Sequence, residues 1–265
     1  MILLLDIGNT HTHVGLAGTS GIRRQVNLPT GDWFSAKGRA KLEAFVKTSR
    51  ITGAALCSVV PRATPRIRTV VRRDFGVELF ELTSRTLPDL GIDYPAPETI
   101  GPDRLANALA ALKLFGAPSV VVDFGTAVTF DIVDRRGNYA GGIITPGVAA
   151  MTDYLHEKTA LLPRIQIREV RAVIGKSTEQ AMLIGTVHGY RGLIRELIKE
   201  IKRELRARRI PVIATGGYAG LIASNLPEIT AVAPHLTLHG LRLAWLATRN
   251  LQLATGEGNV ETPQP

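Results

Sequence analysis

The chain has 265 residues, 45% of them hydrophobic, and a formal net charge of +9. This length allows a substantial core and suggests either one large domain or two compact lobes. No apolar run reaches the roughly 18 residues that cross a bilayer, and the opening MILLL lacks the basic flank of a signal peptide. A single cysteine, Cys57, excludes an intrachain disulfide framework. The sequence therefore predicts a cytoplasmic protein without a membrane anchor.

The positive charge raises the question of a nucleic-acid partner. Much of it lies in residues 191–209, RGLIRELIKEIKRELRARR, where apolar residues recur at helical spacing and glutamates alternate with the basic residues. No aromatic residue is interleaved, as stacking on single strands would need. We therefore expect a solvated helix face and no nucleic-acid partner, with a general attraction for anionic ligands.

The first half of the chain predicts an α/β lobe. Short apolar and β-branched runs predict strands at 2–6, 11–17, 22–28 and 53–60. Helical spacing predicts helices at 36–48 and 62–74. Residues 84–101, rich in proline and turn formers, predict an ordered loop, and a helix from Pro102 to Leu114 follows it.

The second half repeats this succession. Gly116 and Pro118 interrupt the chain before a second group of strands. The predicted strands are 119–123, 127–133, 139–145 and 211–214, and the predicted helices are 148–158, 178–208, 218–224 and 237–251. We expect the tail, GEGNVETPQP, to be disordered.

Two segments share one pattern. Residues 3–16 read LLLDIGNTHTHVGL and residues 120–133 read VVVDFGTAVTFDIV, each an apolar strand, an acid with a small-residue turn, and a second strand. Such a repeat predicts two similar α/β lobes that face each other across a cleft. We place an N-terminal lobe at 1–115, a C-terminal lobe at 116–255 and the tail at 256–265.

The first turn has the chemistry of a phosphate site. Asp6 ends a strand and can hold hydrated Mg²⁺ through water. Gly8 allows close approach of a ligand, the N–H groups around Gly8, Asn9 and Thr10 can form an anion-binding nest, and Thr10 and Thr12 can donate hydroxyls to phosphate. The alternative is an ordinary hairpin with an Asx turn. The second copy of the turn favours the functional interpretation.

The second turn and a later glycine pair complete a nucleotide site. Asp123 again ends an apolar strand, and Gly125 and Thr126 follow it. The segment VIATGGYAG places Gly216 and Gly217 after a short strand, where a purine ring could lie on them. The residues that we expect at this nucleotide site are Asp6, Ile7, Gly8, Asn9, Thr10, His11, Thr12, His13, Gly216 and Gly217.

The order of motifs DIGNT, GPDR, DFGTAVTFD, GGIITPG and ATGGYA resembles the type III pantothenate kinases. The resemblance extends over nearly the whole chain and includes CSVVP, HEKTALLPRI and IGKSTEQAMLIG. It implies two ribonuclease H-like lobes, each a mixed sheet plus helices, in the actin/hexokinase/Hsp70-like ATPase fold. It also implies ATP-dependent phosphorylation of pantothenate to 4′-phosphopantothenate, the first step of coenzyme A biosynthesis, by a homodimer. The resemblance further implies that the nucleotide at the predicted site is ATP and that Thr126 contacts it.

The resemblance assigns the acceptor side to the segment TIGPDRLANALAALK. Asp103 would be the catalytic base, in the first turn of a helix that begins at Pro102, where the helix dipole favours its ionised form. From the residues alone, Asp103 could equally be a helix-start acid. The residues implied to contact pantothenate are Tyr94, Gly101, Pro102, Asp103, Arg104 and, from a partner subunit, Thr178.

Asp123 admits two roles. The resemblance implies a monovalent cation at this residue, K⁺ or NH₄⁺, whereas analogy with the superfamily would make it a second Mg²⁺ anchor. We expect the monovalent cation, because ATP brings several negative charges that fixed positive charge must offset.

Two other classes of function remain open at this stage. One is a non-catalytic, transcription-accessory regulator on the same fold, which could dispense with Asp6 or Asp103. The other is a phosphatase or a kinase for a different substrate, which would need another acceptor motif in place of GPDR. The chain retains both acids and the GPDR motif.

Overall fold

In the computed structural model, residues 1–255 are described, with side chains as far as Leu251. They form two compact units. Unit 1 comprises residues 1–91, 95–110 and the chain from Thr237 onward. Unit 2 comprises residues 92–94 and 111–236. The tail expected to be disordered, 256–265, lies outside the described residues.

The first half of the chain forms six strands and three α-helices. The strands are β1 (Ile2–Ile7), β2 (His11–Ala17), β3 (Ile22–Pro29), β4 (Gly53–Ser58), β5 (Leu79–Glu81) and β6 (Gly91–Ile92). The α-helices are α1 (Ala36–Val46), α2 (Thr64–Phe75) and α3 (Pro102–Phe115). Two 3-10 helices, Thr30–Phe34 and Pro97–Thr99, were not expected from the sequence.

The second half adds five strands and four helices. The strands are β7 (Ser119–Phe124), β8 (Ala127–Val133), β9 (Asn138–Pro146), β10 (Val212–Thr215) and β11 (Ala231–Val232). The helices are α4 (Val148–Lys158), α5 (Thr178–Glu204), α6 (Ala219–Ala223) and α7 (Leu236–Thr255). No helix among residues 1–255 is both long and apolar enough to cross a membrane.

Both sheets have the same strand order. In unit 1 the order is β3-β2-β1-β4-β5, with β1–β2 and β2–β3 antiparallel and β1–β4 and β4–β5 parallel. The second sheet reproduces it as β9-β8-β7-β10-β11, with β6 added beyond β9. The predicted α/β fold with two similar mixed sheets is confirmed.

The apolar runs of the sequence form the core of each unit. In β1, Leu3, Leu4 and Leu5 are fully buried, and Val120, Val121 and Val122 are their counterparts in β7. A central strand with a parallel neighbour and helices on the sheet is buried on both faces, which explains why these runs are continuous rather than alternating. The polar ends of the same strands, rather than their middles, are therefore available for chemistry.

Helix α7 belongs to unit 1, although the sequence had placed it in the C-terminal lobe. Gly240 of α7 lies so close to α3 that a Cβ there would stand 2.0 Å from the carbonyl oxygen of Ala106. The Thr237 hydroxyl donates to Asn107 Oδ1 at 2.9 Å in the same interface. A helix that follows unit 2 in the chain can pack this closely on α3 because Gly240 has no side chain, a feature that sequence periodicity does not reveal.

The basic helix α5 is amphipathic, as expected. Tyr190, Ile194 and Ile198 are buried in unit 2, and most of the charged residues lie on the other side. Arg191 is an exception, because it is buried and pairs with Glu169. On the exposed side Lys199 pairs with Glu196 and Arg203 with Glu200, both one helical turn apart. Exposed pairs of this kind contribute little stability. They show that much of the basic segment forms a solvated helix face, on which basic and acidic side chains pair with one another.

Replacing Gly240 with Ala should destabilise the chain, because the new methyl group would enter the Ala106 backbone and force α7 away from α3. We expect a loss of roughly 2 kcal/mol or more in the free energy of unfolding, measured by urea denaturation. Gly185→Ala is the matched control, since a Cβ at this exposed position in α5 meets nothing within 4 Å. It should stabilise by about 0.5–1 kcal/mol. Equal effects of the two substitutions would contradict the α3–α7 contact.

Candidate active site

The two predicted acids occupy corresponding places in the two sheets. Asp6 is the penultimate residue of β1, opposite His13 in the antiparallel β2 and Cys57 in the parallel β4. Asp123 is the penultimate residue of β7, opposite Thr129 in β8 and Thr215 in β10. Each acid therefore lies next to a hairpin turn and next to the C-terminal end of the neighbouring parallel strand. In open α/β sheets, this is the edge at which ligands bind.

The turn after Asp6 differs from the expected anion-binding nest in the role of one N–H group. The Gly8 N–H donates to the His11 carbonyl at 3.0 Å and closes the turn, so this N–H serves the hairpin. Asn9 and Thr10 are exposed at the tip, whereas Ile7 is fully buried and directs its side chain into the core. Any contact of Ile7 with a ligand is therefore limited to its backbone.

Thr12 is also turned away from solvent. It is fully buried, and its hydroxyl is engaged by Thr30 at 3.1 Å and by the Trp33 ring N–H at 3.0 Å. The expected donation from Thr12 to a phosphate requires an accessible hydroxyl, which this arrangement does not provide. Thr12 instead links the turn to the 3-10 helix that follows β3.

The two histidines of β2 have different surroundings. His13 Nδ1 lies 2.7 Å from Asn27 Oδ1 of the neighbouring β3. His11 is exposed beside the turn, with its ring centroid 6.5 Å from that of His13. Among residues 1–255, no group of three or more His, Cys, Asp or Glu stands close enough to hold a metal ion. The donor set at Asp6 therefore fits a hydrated Mg²⁺ bound through water better than a cage of protein ligands.

Cys57 connects Asp6 with Asp103 inside unit 1. Its thiol donates to Asp6 Oδ1 at 3.4 Å. Burial, followed by the charges of Asp6 and Asp103, raises the pKa of this thiol well above its ordinary value, so it remains a neutral donor. Because both carboxylates act on one thiol, the first phosphate turn and the predicted base lie in the same part of unit 1.

Asp103 sits in a tight setting at the start of α3. Its Oδ1 accepts the Arg104 backbone N–H at 2.9 Å. A Cβ at Gly101 would lie 2.5 Å from the same oxygen, so any side chain at this position would displace the carboxylate. Glycine at 101 is therefore a steric requirement for the position of Asp103.

Burial raises the pKa of Asp103 above its ordinary value, and the hydrogen bond from Arg104 and the charge of that residue only partly offset it. The expectation that the helix terminus holds Asp103 in its ionised form is thus opposed by desolvation, which is the larger effect. A carboxylate with a raised pKa is a better proton acceptor than a solvated one. This arrangement is typical of a general base.

In unit 2, a glycine stands against the second acid. Gly216 has a φ of +89°, and a Cβ there would lie 2.6 Å from Asp123 Oδ1. Gly217 is exposed, and a Cβ at this position would meet nothing within 4 Å. The first glycine is thus required for packing against Asp123, whereas the second presents an open backbone surface.

Gly147 is a neighbour of the second turn that the sequence had not singled out. A Cβ at Gly147 would stand 2.1 Å from the Thr126 carbonyl oxygen. Thr126 itself is exposed at the tip of the turn between β7 and β8. The motif GGIITPG contains Gly147, but nothing in that motif alone indicates that it packs on a turn some twenty residues earlier in the chain.

The remaining predicted substrate residues lie in unit 2. Tyr94 is 40% exposed, and its ring meets Tyr139 edge to face at 6.3 Å between centroids. Thr178 is exposed at the first position of α5, where the Ser177 side chain caps the helix by accepting the Gln180 N–H. The structure thus places Gly101 to Arg104 in unit 1 and Tyr94 and Thr178 in unit 2.

The sequence matches a known family over most of its length. A model of the type III pantothenate kinase family matches residues 2–200. A type III pantothenate kinase from Methylacidiphilum infernorum is 42% identical over 249 residues, covering 91% of this chain and 87% of its own. Another from Akkermansia muciniphila is 43% identical over 243 residues, covering 91% of this chain and 97% of its own.

Solved structures support the fold at much lower identity. A Campylobacter jejuni protein described as a Baf family transcriptional activator has a TM-score of 0.61 at 19% identity, covering 94% of this chain and 99% of its own. A Sinorhizobium meliloti protein described as a 2-dehydro-3-deoxygalactonokinase has a TM-score of 0.56 at 13% identity, covering 95% and 99%. At these identities the likeness shows the fold alone.

The raised pKa of Asp103 predicts how its replacement changes stability with pH. The folded chain holds this proton more tightly than the unfolded chain, so the favourable contribution of the protonated group is lost as pH rises through the folded pKa. Asp103→Asn removes that titration. Between pH 4 and pH 8, the free energy of unfolding of the variant should therefore rise relative to wild type, measured by urea denaturation at each pH.

The control is Asp93→Asn, which removes a carboxylate from an exposed position. A stability difference between wild type and Asp103→Asn that moves in the opposite direction with pH, or does not move, would contradict the burial of the Asp103 carboxylate.

Proposed function

The chain belongs to the type III pantothenate kinase family, and we propose the roles of its residues from that premise. The reaction is transfer of the γ-phosphoryl group of ATP to the primary hydroxyl of pantothenate, which yields 4′-phosphopantothenate and begins coenzyme A biosynthesis. The residue assignment is supported by two hydrogen-bonded carboxylates of unit 1. Asp6 Oδ1 accepts the Cys57 thiol at 3.4 Å, and Asp103 Oδ1 accepts the Arg104 N–H at 2.9 Å.

Asp103 is the general base of this proposal. Phosphoryl transfer through a loose transition state asks a base mainly to orient the acceptor hydroxyl and to take its proton late. The Arg104 N–H fixes one carboxylate oxygen at 2.9 Å, and Gly101 leaves no side chain beside it. The hydroxyl of pantothenate would donate to this carboxylate, whose raised pKa favours uptake of the proton.

In each unit, the residues proposed to contact nucleotide include those exposed at its turn. Asn9, Thr10 and His11 are exposed at the first turn, and Thr126 is exposed at the second. Gly217 offers an uncovered backbone on which a purine ring could lie. Asp6 would hold Mg²⁺ through water, and the ion, when bound, would neutralise charge on the phosphates. Ile7, Gly8, Thr12, His13 and Gly216 would then shape the site from behind or through the backbone.

Asp123 is proposed to hold a monovalent cation, K⁺ or NH₄⁺. Its carboxylate lies at the end of β7, with Gly216 packed against one oxygen. A carboxylate at this position would suit a weakly hydrated monovalent ion, which would offset phosphate charge without holding it too tightly. Rates in Na⁺ alone equal to those in K⁺ would count against this assignment.

The acceptor site is proposed to include Tyr94, Gly101, Pro102, Arg104 and, from a second subunit, Thr178. Self-association is supported by large apolar side chains exposed in unit 2. Those exposed by more than 60% are Ile144, Tyr154, Leu161, Val173 and Ile174. Exposed apolar residues of this number within one stretch of chain favour a protein–protein contact. A monomeric mass in solution by light scattering would argue against the homodimer.

A cytoplasmic location is part of the proposal, since the substrates of this reaction are metabolites of that compartment. The regulatory alternative is not favoured, because the chain retains both Asp6 and Asp103. A regulator on this fold would need neither.

Asp103→Asn should lower kcat for pantothenate phosphorylation by roughly a hundredfold or more, because the amide cannot accept the hydroxyl proton. The affinity for ATP should remain within about twofold, since the substitution is nearly isosteric and leaves the first turn intact. A coupled assay of ADP release, with calorimetry for nucleotide binding, measures both quantities. Glu98→Gln, an exposed acid in the preceding 3-10 helix, is the matched control. Unchanged turnover of Asp103→Asn would remove Asp103 from the mechanism.

A further inference from the structure

A buried row of hydrogen bonds stands behind the first phosphate turn. The Trp33 ring N–H lies 3.0 Å from the Thr12 hydroxyl, which lies 3.1 Å from the Thr30 hydroxyl. The Thr30 hydroxyl in turn donates to the Gly8 carbonyl at 2.7 Å. We call the side chains of Thr12, Thr30 and Trp33 the turn brace. They are 0%, 1% and 3% exposed, respectively, so none of them reaches a ligand at the surface.

The donor and acceptor chemistry gives this row one direction. An indole N–H only donates and a carbonyl only accepts, so the Thr30 proton goes to Gly8. Thr12 must then give its single proton to Thr30 and accept from Trp33. Each hydroxyl proton in the turn brace is therefore used in a hydrogen bond within the protein. Thr12 thus supports the turn and has no hydroxyl proton left to donate to a phosphate.

The consequence for the turn lies in the orientation of its peptide groups. Because a peptide is planar and trans, the Asn9 N–H points opposite to the Gly8 carbonyl that Thr30 holds. A second link acts one residue further on, where the Thr30 backbone N–H donates to the Thr10 carbonyl at 3.0 Å. Thr30 thus fixes two carbonyls of the turn towards the protein. The peptide N–H at Asn9 is left to face away from it.

We propose that the turn brace positions the first turn for ATP, with Thr30 as the residue that sets the direction of the Asn9 amide. This inference rests on the proposed assignment of that turn to the phosphates. Thr30 and Trp33 act through the Gly8–Asn9 peptide and touch no substrate. Pre-oriented donors bind phosphate without a cost of reorganisation, whereas a turn free to rotate its peptides must first be ordered.

Thr30→Val removes the hydroxyl but keeps the shape, so the Gly8 carbonyl loses its donor. We expect the dissociation constant of a non-hydrolysable ATP analogue with Mg²⁺ to rise about tenfold, as for the loss of one buried hydrogen bond. Calorimetry measures that constant. The KM for pantothenate should stay within about twofold, because the hydrogen bond that holds the Asp103 carboxylate comes from the Arg104 N–H, which Thr30→Val leaves in place.

The direction of the row predicts an order of effects. Thr30→Ser keeps the donor and should bind the analogue like wild type. Trp33→Phe removes only the first donor of the row, so it should weaken binding less than Thr30→Val. Thr12→Val should fall between the two, since Thr30 keeps its own bond to Gly8. Circular dichroism checks that each variant is folded. If Thr30→Val is unfolded, the affinities of Thr12→Val and Trp33→Phe for the analogue still test the inference.

The matched control is Thr186→Val in α5, where a buried hydroxyl is likewise lost without a change of shape. Its affinity for the analogue should equal that of wild type. Wild-type affinity in the variants of the turn brace, equal losses in Thr30→Ser and Thr30→Val, or an equal loss in Thr186→Val would each overturn the inference.

The experiment also separates this inference from the proposed function. A wild-type chain that binds the analogue but does not phosphorylate pantothenate would refute the substrate, while the order of affinities would still decide the role of the turn brace. A wild-type chain that phosphorylates pantothenate with no such order would refute the turn brace alone.

Discussion

One steric constraint appears in each unit: a carboxylate oxygen lies against a glycine, and a side chain at that glycine would have to displace the carboxylate. In unit 1 the pair is Asp103 and Gly101, and in unit 2 it is Asp123 and Gly216, with distances of 2.5 and 2.6 Å from the oxygen to the position of a Cβ. The absence of a side chain at Gly101 and Gly216 leaves space for these carboxylate oxygens. For Asp103, burial also raises the pKa above its ordinary value.

The duplicated sheet gives each unit a turn of its own, and the surroundings of the two turns differ. Both units carry the acid at the penultimate position of the central strand, followed by a hairpin. The parallel neighbours differ: Cys57 lies opposite Asp6, whereas Thr215, followed by Gly216, lies opposite Asp123. Unit 1 thus has a neutral thiol donor beside Asp6 and the turn brace behind the turn. Unit 2 has exposed glycine backbone after the strand that neighbours Asp123. The same topology thus carries two turns whose neighbouring residues differ.

Much of the fold could be predicted from the sequence, because long apolar runs and helical spacing are strong signals. Strands β1, β2, β7 and β8 and helix α3 begin and end within one residue of the prediction. The strands that were missed, β5, β6 and β11, have only two or three residues and no periodicity of their own. The place of α7 in unit 1 was missed as well, since it depends on Gly240 meeting Ala106, two residues far apart in the chain.

Some residues of the candidate site could likewise be predicted from the sequence, and others could not. The acids and glycines could be identified because their motifs are local and repeated. The side chain of Thr12 was assigned to phosphate because its neighbours are turn residues, and only the structure shows it buried among Thr30 and Trp33. The raised pKa of Asp103 likewise follows from burial, which no sequence pattern reports. Residues that only position other residues of a site form no local motif, so the sequence pattern does not identify them.

The most direct measurement is identification of the product formed by the purified full chain from ATP, Mg²⁺, K⁺ and pantothenate. We predict one equivalent of a phosphomonoester on the primary hydroxyl of pantothenate, seen by mass spectrometry and by phosphorus NMR coupling to the adjacent methylene protons. Hydrolysis of ATP without this product, or preferential phosphorylation of a simple sugar under the same conditions, would contradict the assignment of Asp103 and its surroundings to a pantothenate kinase.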